Sequence, residues 1–510
     1  MNPRLVEPVT HPLSAIATFL NATTQNVNVD DAQSINASAI NASGLTSRAH
    51  DVEPGDIFLA FAGERTHGAR FADEAQRRGA ISIITDSAGA ALITAPIPIL
   101  VVENPRHIAG HLAGWFYDQP LRSLFSAAIT GTNGKTTVTT LLYQLWRDAQ
   151  IESGLIGTLG TFLGRDFLPS ARTTPEADEL HAIFAMMKER HVKNLAMEVS
   201  SHALVQHRVD GMKFSVAGFT HLTQDHLDFH GSMAHYFDAK ARLFTLEHAE
   251  KAFIMIDDEY GRALTKRSEI PYVTLSRSDT SAQWHVANAT MTSTGWDLAI
   301  RGDGGILIEG SLPLLGEHNI DNALLAIAIA VESGLDPLFV GRQLSHLTGA
   351  VGRLEKISLG QNFLALIDYA HTPDAVTRTL ASVRKFTQGR IIAVLGCGGD
   401  RDKSKRPLMG EALRAGSDIA LFTSDNPRSE NPDDILRQMV GDIRLAQPSA
   451  IIQDRREAIS TAVKLADKGD CVIVLGKGHE TGQEIAGVIH PFSDREVVEA
   501  EIVDRMAHQP

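Results

Sequence analysis

Residues 124–137 read LFSAAITGTNGKTT, and this stretch decides the fold of the middle of the chain. A short apolar run ends at a loop bounded by Gly131 and Gly134, and apolar residues at helical spacing follow Lys135. This order predicts a strand, a phosphate-binding loop and a helix. The backbone N–H groups of such a loop and the positive end of the helix dipole attract anions. The stretch therefore predicts ATP binding.

The loop differs from the common G-x-x-x-x-G-K-[ST] pattern, because Ile129 stands where that pattern needs its first glycine. A chance Gly-Lys-Thr in a turn is the alternative, but the agreement of strand, loop and helix signals favours a phosphate site. We expect Lys135 to lie on the terminal phosphates and the Thr136 hydroxyl on Mg²⁺. The predicted ATP contacts in this stretch are Gly131, Thr132, Asn133, Gly134, Lys135, Thr136 and Thr137.

Length and composition limit the class of protein. A chain of 510 residues predicts about three domains, and a net charge of −14 argues against nucleic acid as the main partner. Two cysteines, Cys397 and Cys471, allow one disulfide at most, which favours a reducing compartment. The sequence predicts neither a signal peptide nor a membrane-spanning segment. We expect a cytoplasmic protein without a membrane partner.

The predicted fold is α/β with three domains, covering residues 1–123, 124–350 and 351–510. The first is a small α/β domain, the second a parallel sheet around the phosphate loop, and the third a doubly wound domain. Predicted strands cover residues 57–61, 81–85, 99–102, 195–199, 216–220, 363–368, 391–396, 419–424 and 472–476. Predicted helices cover residues 105–117 and 319–332.

Two strand ends carry candidate metal ligands. Glu198 closes one predicted strand, and His226 lies in LTQDHLDFH (222–230) after the next. Parallel strands bring their carboxyl ends to one edge of a sheet, where ligands bind. Oxygen ligands suit Mg²⁺, whereas a histidine ligand is less usual, and a structural histidine is the alternative. We interpret Glu198 and His226 as metal ligands.

Five motifs together resemble the Mur ligases and the related folylpolyglutamate synthetases. They are GTNGKTT (131–137), MEVSSH (197–202), DHLD (225–228), GRLE (352–355) and DYAHTP (368–373). Within the Mur ligases, the motifs are most similar to the branch that adds the third peptide residue of the cell-wall precursor. The resemblance implies small-molecule substrates and an ATP-dependent amide-bond-forming reaction through an acyl phosphate. It also implies two Mg²⁺ ions, and we expect a monomer.

The resemblance assigns roles that spacing alone does not. Lys240, in YFDAKARLF (236–244), corresponds to a lysine that CO2 converts to a carbamate metal ligand, although a solvated helix lysine is the ordinary alternative. Carbamylation needs a neutral amine and hence a lowered pKa. The implied catalytic set is Lys135, Lys240, His226 and Arg353. Asn322 is implied near adenine, Arg353 on phosphate and Asp368 near the ribose-phosphate end.

The same resemblance implies contacts to UDP-N-acetylmuramoyl-L-alanyl-D-glutamate. Uridine contacts are implied for Leu45 and Ser47, and muramoyl-dipeptide contacts for Thr173, Thr174, Ser200, Gln206 and Arg208. One departure is Arg172, where some relatives have asparagine. A direct substrate contact at position 172 is therefore not carried over.

The incoming amino acid is expected in the third domain, where GGDRD (398–402), DNPR (425–428) and GKGHE (476–480) follow predicted strands. DNPR resembles the signature of enzymes that use meso-diaminopimelate, whose distal carboxylate L-lysine lacks. An arginine can bind that carboxylate and would repel a lysine ammonium. We predict Arg401 and Arg428 as the clamp and Glu480 on the distal ammonium. Further predicted contacts are Asp425, Asn426, Pro427 and Gly476.

Other interpretations stay open at this point. They are the same reaction with L-lysine, a folylpolyglutamate-type ligase, and an ATPase or non-catalytic homologue with the same fold. An exposed Asn-Pro turn with an incidental arginine is the alternative for DNPR.

Overall fold

The computed structural model describes residues 4–25, 40–63, 66–170, 172–292 and 294–508. The chain divides into two compact units. One comprises Met1–Ala289, Leu298–Gly310 and Asp321–Ser345, and the other Thr290–Asp297, Ser311–Ile320 and His346–Pro510. The α/β class with parallel sheets is confirmed. In the described part of the chain, no helix combines the length and apolarity needed to cross a membrane.

The amino-terminal part contains a five-stranded sheet of order β2-β7-β6-β5-β4, in which only the β2–β7 pair is antiparallel. A separate antiparallel pair joins β1 and β3. The strands are β1 (His11–Pro12), β2 (Thr23–Gln25), β3 (Asn41–Ala42), β4 (Gly44–Thr46), β5 (Asp56–Ala60), β6 (Ser82–Thr85) and β7 (Ile99–Val101). The helices are α1 (Leu13–Leu20), α2 (Ala72–Arg78), α3 (Ser87–Ala90) and α4 (Pro105–Phe116).

The middle part forms an eleven-stranded sheet of order β11-β10-β9-β12-β8-β13-β14-β15-β16-β17-β18. Its strands are β8 (Phe125–Thr130), β9 (Ser153–Gly157), β10 (Gly160–Leu163), β11 (Asp166–Leu168), β12 (Asn194–Glu198), β13 (Phe214–Phe219), β14 (Ala249–Met255), β15 (Tyr272–Ser276), β16 (Trp284–Met291), β17 (Trp296–Arg301) and β18 (Leu307–Leu312). Its helices are α5 (Lys135–Asp148), α6 (Ala177–Glu189), α7 (Ser201–Val205), α8 (Leu227–His230), α9 (Met233–Ala241), α10 (Glu259–Arg267), α11 (His318–Glu332) and α12 (Pro337–Gln343).

Strand β8 lies inside this sheet between β12 and β13, and both neighbours run parallel to it. Register places Glu198 beside Ile129 and Phe219 beside Thr130. The three strands therefore end at the same edge, next to the phosphate loop. Apart from Phe125 at the start of β8, the apolar residues of these strands are buried, which fits a sheet covered by helices on both faces.

The carboxyl-terminal part is a six-stranded sheet of order β19-β20-β24-β21-β22-β23, parallel except for the β19–β20 pair. Its strands are β19 (Glu355–Ile357), β20 (Leu364–Asp368), β21 (Ile391–Cys397), β22 (Ile419–Ser424), β23 (Ala450–Ile451) and β24 (Cys471–Leu475), followed by a hairpin of β25 (Gly482–Ile485) and β26 (Val488–Pro491). Its helices are α13 (Pro373–Phe386), α14 (Lys405–Gly416), α15 (Pro432–Val440), α16 (Arg455–Leu465) and α17 (Asp494–Ala507).

Every strand and helix predicted above is present, with ends shifted by at most two residues. Cys397 and Cys471 are buried free thiols at opposite ends of their strands, and burial raises the pKa of each to about 12. Both are therefore unreactive core residues at neutral pH.

Candidate active site

The phosphate loop occupies residues 131–134, between the end of β8 and the start of α5. Gly131 and Gly134 have φ angles of 144° and 89°, which favour glycine. A Cβ atom on Gly134 would lie 2.3 Å from the amide oxygen of Asn322. The close approach of Asn322 to the loop thus adds a second reason for glycine, and the predicted strand, loop and helix are confirmed.

Side chains brace the loop from inside. The Lys135 ammonium donates hydrogen bonds to the carbonyl oxygens of Gly131 (2.9 Å) and Thr132 (3.0 Å). The Thr220 hydroxyl donates to the carbonyl oxygen of Asn133 at 2.6 Å. Thr136 and Thr137 lie in the first turn of α5 and are buried. These hydrogen bonds hold the loop in shape, and Lys135 itself remains partly exposed.

Glu198 is a buried carboxylate beside this loop, with a residue exposure of 1%. It accepts hydrogen bonds from the Thr158 backbone N–H (2.8 Å), the Thr158 hydroxyl (3.2 Å) and the Thr136 hydroxyl (3.0 Å). Among the described residues, no lysine, arginine or histidine nitrogen lies within 4.0 Å of it. A buried carboxylate with neutral donors alone favours a cation, and its oxygens suit Mg²⁺.

His226 precedes α8 in a left-handed conformation, with φ of 52°. Its ring centroid lies 4.7 Å from that of His202 and 6.4 Å from that of Tyr236. Burial lowers the pKa of His226, although the nearby Asp225 carboxylate opposes the shift. A neutral imidazole at this edge can accept a proton or bind a metal.

Lys240 lies on α9, as predicted, and is 1% exposed, so the alternative of a solvated helix lysine is wrong. Its ammonium donates to the carbonyl oxygen of Gly131 at 2.8 Å and lies 4.8 Å from the Tyr236 ring centroid. In the described ranges, no carboxylate lies within 4.0 Å of it. Burial, together with the charge of Lys135, lowers the pKa of Lys240 well below its ordinary value.

The predicted dipeptide contacts converge near Glu198. The Thr174 hydroxyl donates to the carbonyl oxygen of Glu198 at 2.9 Å, and the Ser200 N–H donates to Thr174 at 3.1 Å. The Thr173 hydroxyl lies 3.1 Å from that of Thr158, which itself bonds Glu198. The local hydrogen bonds therefore place residues 173, 174 and 200 at the strand end that carries the candidate metal ligand.

Arginines gather around Glu176 next to this edge. Arg208 donates to the carbonyl oxygen of Thr174 at 3.0 Å, and its Nε lies 3.2 Å from the Glu176 carboxylate. Arg106 lies 3.4 Å from the same carboxylate, and Arg172 forms an ion pair with it. Gln206 accepts a hydrogen bond from Arg208 at 2.5 Å. Arg172 thus has a partner within the protein.

A cleft of about 320 Å³ lies beside these arginines. Its lining includes Ser47, Arg48, Phe61, Arg106, Arg172 and Glu176. The Ser47 N–H donates to the Asp178 carboxylate at 2.7 Å, and burial raises the pKa of Asp178 to about 6. Leu45, the other predicted uridine contact, is buried in β4. Four of the lining residues, Arg48, Phe61, Arg106 and Glu176, were not predicted from the sequence, because no local motif marks them as neighbours in space.

In the second unit, Asp368 organises the turn that carries Arg353. The Asp368 carboxylate accepts hydrogen bonds from the backbone N–H groups of Leu354 (2.8 Å) and Ala370 (2.9 Å). The Arg353 guanidinium lies 4.7 Å from the Tyr369 ring centroid. Asp368 and Arg353 are thus neighbours, and the aspartate fixes the backbone on which the arginine stands.

Asn426 and Glu480 belong to one hydrogen-bonded network, in which Asn426 is buried and Glu480 is partly exposed. The Asn426 amide nitrogen donates to Glu480 at 2.9 Å. Lys477, whose side chain is fully buried, donates to Asn426 at 2.9 Å and to Glu480 at 3.0 Å. Lys477 was missed by the sequence analysis because a lysine between two glycines looks like a surface turn residue. The network shows that DNPR is not an exposed turn.

Arg428 and Arg401 flank Gly398. Arg428 donates to the carbonyl oxygen of Gly399 at 2.7 Å, and its Nε lies 3.3 Å from Glu484. Arg401 is exposed and forms no hydrogen bond or ion pair among the described residues. Two further predicted contacts, Pro427 and Gly476, are closely packed. A Cβ atom on Gly399 would lie 1.9 Å from the carbonyl oxygen of Pro427. A Cβ atom on Gly476 would lie 2.8 Å from a carboxylate oxygen of Asp425. Burial raises the pKa of Asp425.

Three family models match the chain. They are the Mur ligase family catalytic domain (residues 41–117), the Mur ligase middle domain (129–330) and the Mur ligase glutamate ligase domain (352–478). This order confirms the predicted three-domain α/β organisation.

Curated relatives match over nearly the whole chain. A UDP-N-acetylmuramoyl-L-alanyl-D-glutamate--2,6-diaminopimelate ligase from Streptomyces coelicolor is 43% identical over 468 residues, 89% of this chain and 91% of that protein. The protein of the same name from Geobacillus thermodenitrificans is 40% identical over 466 residues, 89% of this chain and 93% of its own length. A solved structure of a ligase of that name matches with a TM-score of 0.69 and 31% identity, covering 98% of this chain and 100% of its own.

Proposed function

The chain belongs to the Mur ligase family, and from this premise we propose that it is the ATP-dependent ligase that adds meso-2,6-diaminopimelate to UDP-N-acetylmuramoyl-L-alanyl-D-glutamate. The products are the tripeptide precursor of peptidoglycan, ADP and phosphate. The observation that carries the proposal is the phosphate loop flanked by Glu198 and Lys240, two buried ionisable groups that form no ion pair within 4.0 Å among the described residues. Relatives named for this reaction support the choice of substrates.

The reaction proceeds in two steps. The D-glutamyl γ-carboxylate attacks the γ-phosphorus of ATP, the bond to the β-phosphate oxygen breaks, and ADP leaves. The amine of diaminopimelate then attacks the acyl carbon, phosphate leaves, and the new amide nitrogen loses a proton. Lys135 and Arg353 neutralise the phosphoryl charge, so the protein positions and stabilises without a nucleophile of its own. AMP and pyrophosphate as products would contradict this route.

Magnesium fits the residues present. Thr136 and Glu198 offer hard oxygen atoms 3.0 Å apart, and the carboxylate is buried without a cation. We assign them as ligands, with His226 and a carbamylated Lys240 for a second ion. Carbamylation joins the neutral Lys240 amine to CO2 and releases a proton, which the lowered pKa of Lys240 favours. Bound Mg²⁺ would supply charge neutralisation for the phosphates.

The remaining assignments follow the three small-molecule substrates. ATP is assigned to residues 131–137, Asn322, Arg353 and Asp368. The nucleotide sugar is assigned to Leu45, Ser47, Thr173, Thr174, Ser200, Gln206 and Arg208, and the cleft adds Arg48, Phe61 and Arg106. We also propose a cytoplasmic monomer with domain boundaries near residues 123 and 350.

Diaminopimelate is assigned to the end of the third-domain sheet. Arg401 and Arg428 would hold the distal carboxylate, and Glu480 the distal ammonium, beside Asp425, Asn426, Pro427 and Gly476. The Arg428 guanidinium and the side-chain stem of Arg401 both lie near Gly398, and the Arg428 guanidinium donates to the carbonyl oxygen of Gly399. Two arginines in loops that follow neighbouring strands favour a substrate with an extra carboxylate over L-lysine.

The test incubates purified protein with ATP, Mg²⁺ and UDP-N-acetylmuramoyl-L-alanyl-D-glutamate, with meso-diaminopimelate or L-lysine, and identifies products by mass spectrometry. We expect tripeptide with diaminopimelate alone, and ADP formed in equal amount. Tripeptide with L-lysine would retain the ligase and overturn the selector assignment. ATP hydrolysis without tripeptide in either reaction would favour a simple ATPase.

A further inference from the structure

A histidine and aspartate cluster lies outside the residues assigned to the ligase reaction. The Nδ1 atoms of His107 and His207 are 3.2 Å apart. The same Asp210 oxygen, Oδ2, lies 3.0 Å from His107 Nδ1 and 2.7 Å from His207 Nδ1. Three atoms of metal-ligand type therefore form a small triangle.

Burial makes this triangle unusual. The Asp210 side chain is 1% exposed, and its second oxygen, Oδ1, is buried without a hydrogen bond. Among the described residues, the basic nitrogens within 4.0 Å of Oδ1 belong to Arg242 (3.7 Å) and His248 (Nε2, 3.9 Å), and both lie beyond hydrogen-bond distance. The His107 side chain is 54% exposed and that of His207 is 28% exposed, so both histidine side chains are partly open to solvent.

We propose that His107, His207 and Asp210 form a binding site for a divalent ion of the zinc class. Two imidazoles and one carboxylate are a ligand set that zinc uses, whereas Mg²⁺ and Ca²⁺ prefer oxygen ligands alone. Zinc–nitrogen distances of about 2.0–2.1 Å in tetrahedral geometry place ligand atoms roughly 3.3 Å apart, so the shortest side of the triangle, 2.7 Å between His207 and Asp210, needs to open by about 0.6 Å and the other two by less. Solvent on the exposed side would supply the fourth ligand.

The site joins two parts of the first unit. His107 lies on α4, and His207 and Asp210 lie in the turn after α7. The two backbones touch, because a Cβ on Gly110 would lie 1.9 Å from the Asp210 carbonyl oxygen. A bound ion would therefore tie the turn to α4. Gln206 and Arg208, assigned above to the nucleotide sugar, flank His207, so the ion would also restrain that part of the substrate site.

The test uses tag-free full-length protein stripped with EDTA and titrated calorimetrically with ZnCl2. We compare wild type with His107→Gln, which changes a half-exposed side chain, and with His508→Gln, an exposed histidine in the carboxyl-terminal part, as the control. We expect one Zn²⁺ fewer per chain, or at least tenfold weaker binding, in His107→Gln only. X-ray absorption of the zinc-loaded wild type should show two imidazole ligands.

Thermal unfolding gives a second readout. Zn²⁺, but not Mg²⁺ at the same concentration, should raise the melting temperature of the wild type by roughly 2–5 °C and that of His107→Gln by less. Equal melting temperatures of the two proteins in EDTA would establish that the variant folds. Zinc binding of equal strength and number in His107→Gln, or no zinc binding to the wild type, would overturn the site and leave a hydrogen-bonded cluster.

Discussion

The phosphate-loop end of the central sheet and the amino-acid end of the third-domain sheet manage buried charge in opposite ways. At the first, Glu198 bonds only neutral donors, and Lys240 donates to a carbonyl oxygen without a carboxylate within 4.0 Å in the described chain. At the second, Lys477 and Glu480 form a 3.0 Å ion pair. Both sites lie at the carboxyl ends of parallel strands, so the difference is chemical rather than topological.

The difference indicates which site needs an ion, a proton transfer or a covalent modification to compensate its charge. Buried charges without counter-ions are costly, and they are relieved by a metal ion, by a change of protonation or by covalent modification. In the Lys477–Glu480 pair the opposite charges already compensate each other, and the side chains are held in a fixed orientation. The first site therefore favours binding of a metal ion or a chemical change of its own side chains. The second site favours recognition of a substrate by side chains that are already held in place.

The largest expected effect comes from removing the amine at the first site. Lys240→Ala should lower kcat by about 10³-fold or more, because the second metal loses its ligand and phosphoryl charge is left unneutralised. Short carboxylic acids such as acetate should restore part of the rate by occupying the space of the carbamate. Steady-state kinetics with and without acetate check both expectations.

The matched control for this variant is Lys251→Ala, which removes a partly exposed lysine of β14 that pairs with Glu332 at the end of α11. It should keep kcat within about twofold, since exposed ion pairs contribute little. Full activity of Lys240→Ala without acetate would contradict the assignment of a carbamate to Lys240. The contrast between the two sites would then lose its main support.

A smaller and more selective effect is expected at the second site. Arg428→Ala should raise the KM for diaminopimelate by about 30-fold or more, since a carboxylate loses its charged partner. The KM for the nucleotide sugar should stay within about twofold. The exposed Arg437→Ala, which removes an ion pair with Asp434, is the control. Equal shifts in both KM values would mean that Arg428 supports the fold rather than the selection.

Local motifs predicted the strand ends and the phosphate loop, because Gly131, Gly134 and Lys135 are neighbours in sequence. They did not predict that Lys240 would be buried without a carboxylate, since burial depends on how α9 packs. The ion pairs of Lys477 and of the arginines around Glu176 were not predicted for a related reason, because tertiary contacts determine their partners. The two-site contrast therefore became visible only in three dimensions.

The smallest expected effect tests the protonation of Lys240 itself. Carbamylation needs the neutral amine, and burial lowers the pKa of Lys240 from its ordinary value, so the neutral fraction grows as pH rises toward and past that lowered pKa. Below the pKa, each pH unit lowers that fraction about tenfold.

At a fixed concentration of dissolved CO2, enzyme prepared without CO2 should therefore regain activity to a greater extent at pH 8.5 than at pH 6.5. Rates measured before and after CO2 addition check this, with Lys240→Ala as the insensitive control. The wild type should also show a ¹³C carbamate resonance when ¹³CO2 is supplied, and the resonance should weaken as the pH falls. Activation that is independent of pH, or that persists in Lys240→Ala, would assign the CO2 effect to another group and would contradict a carbamate on Lys240.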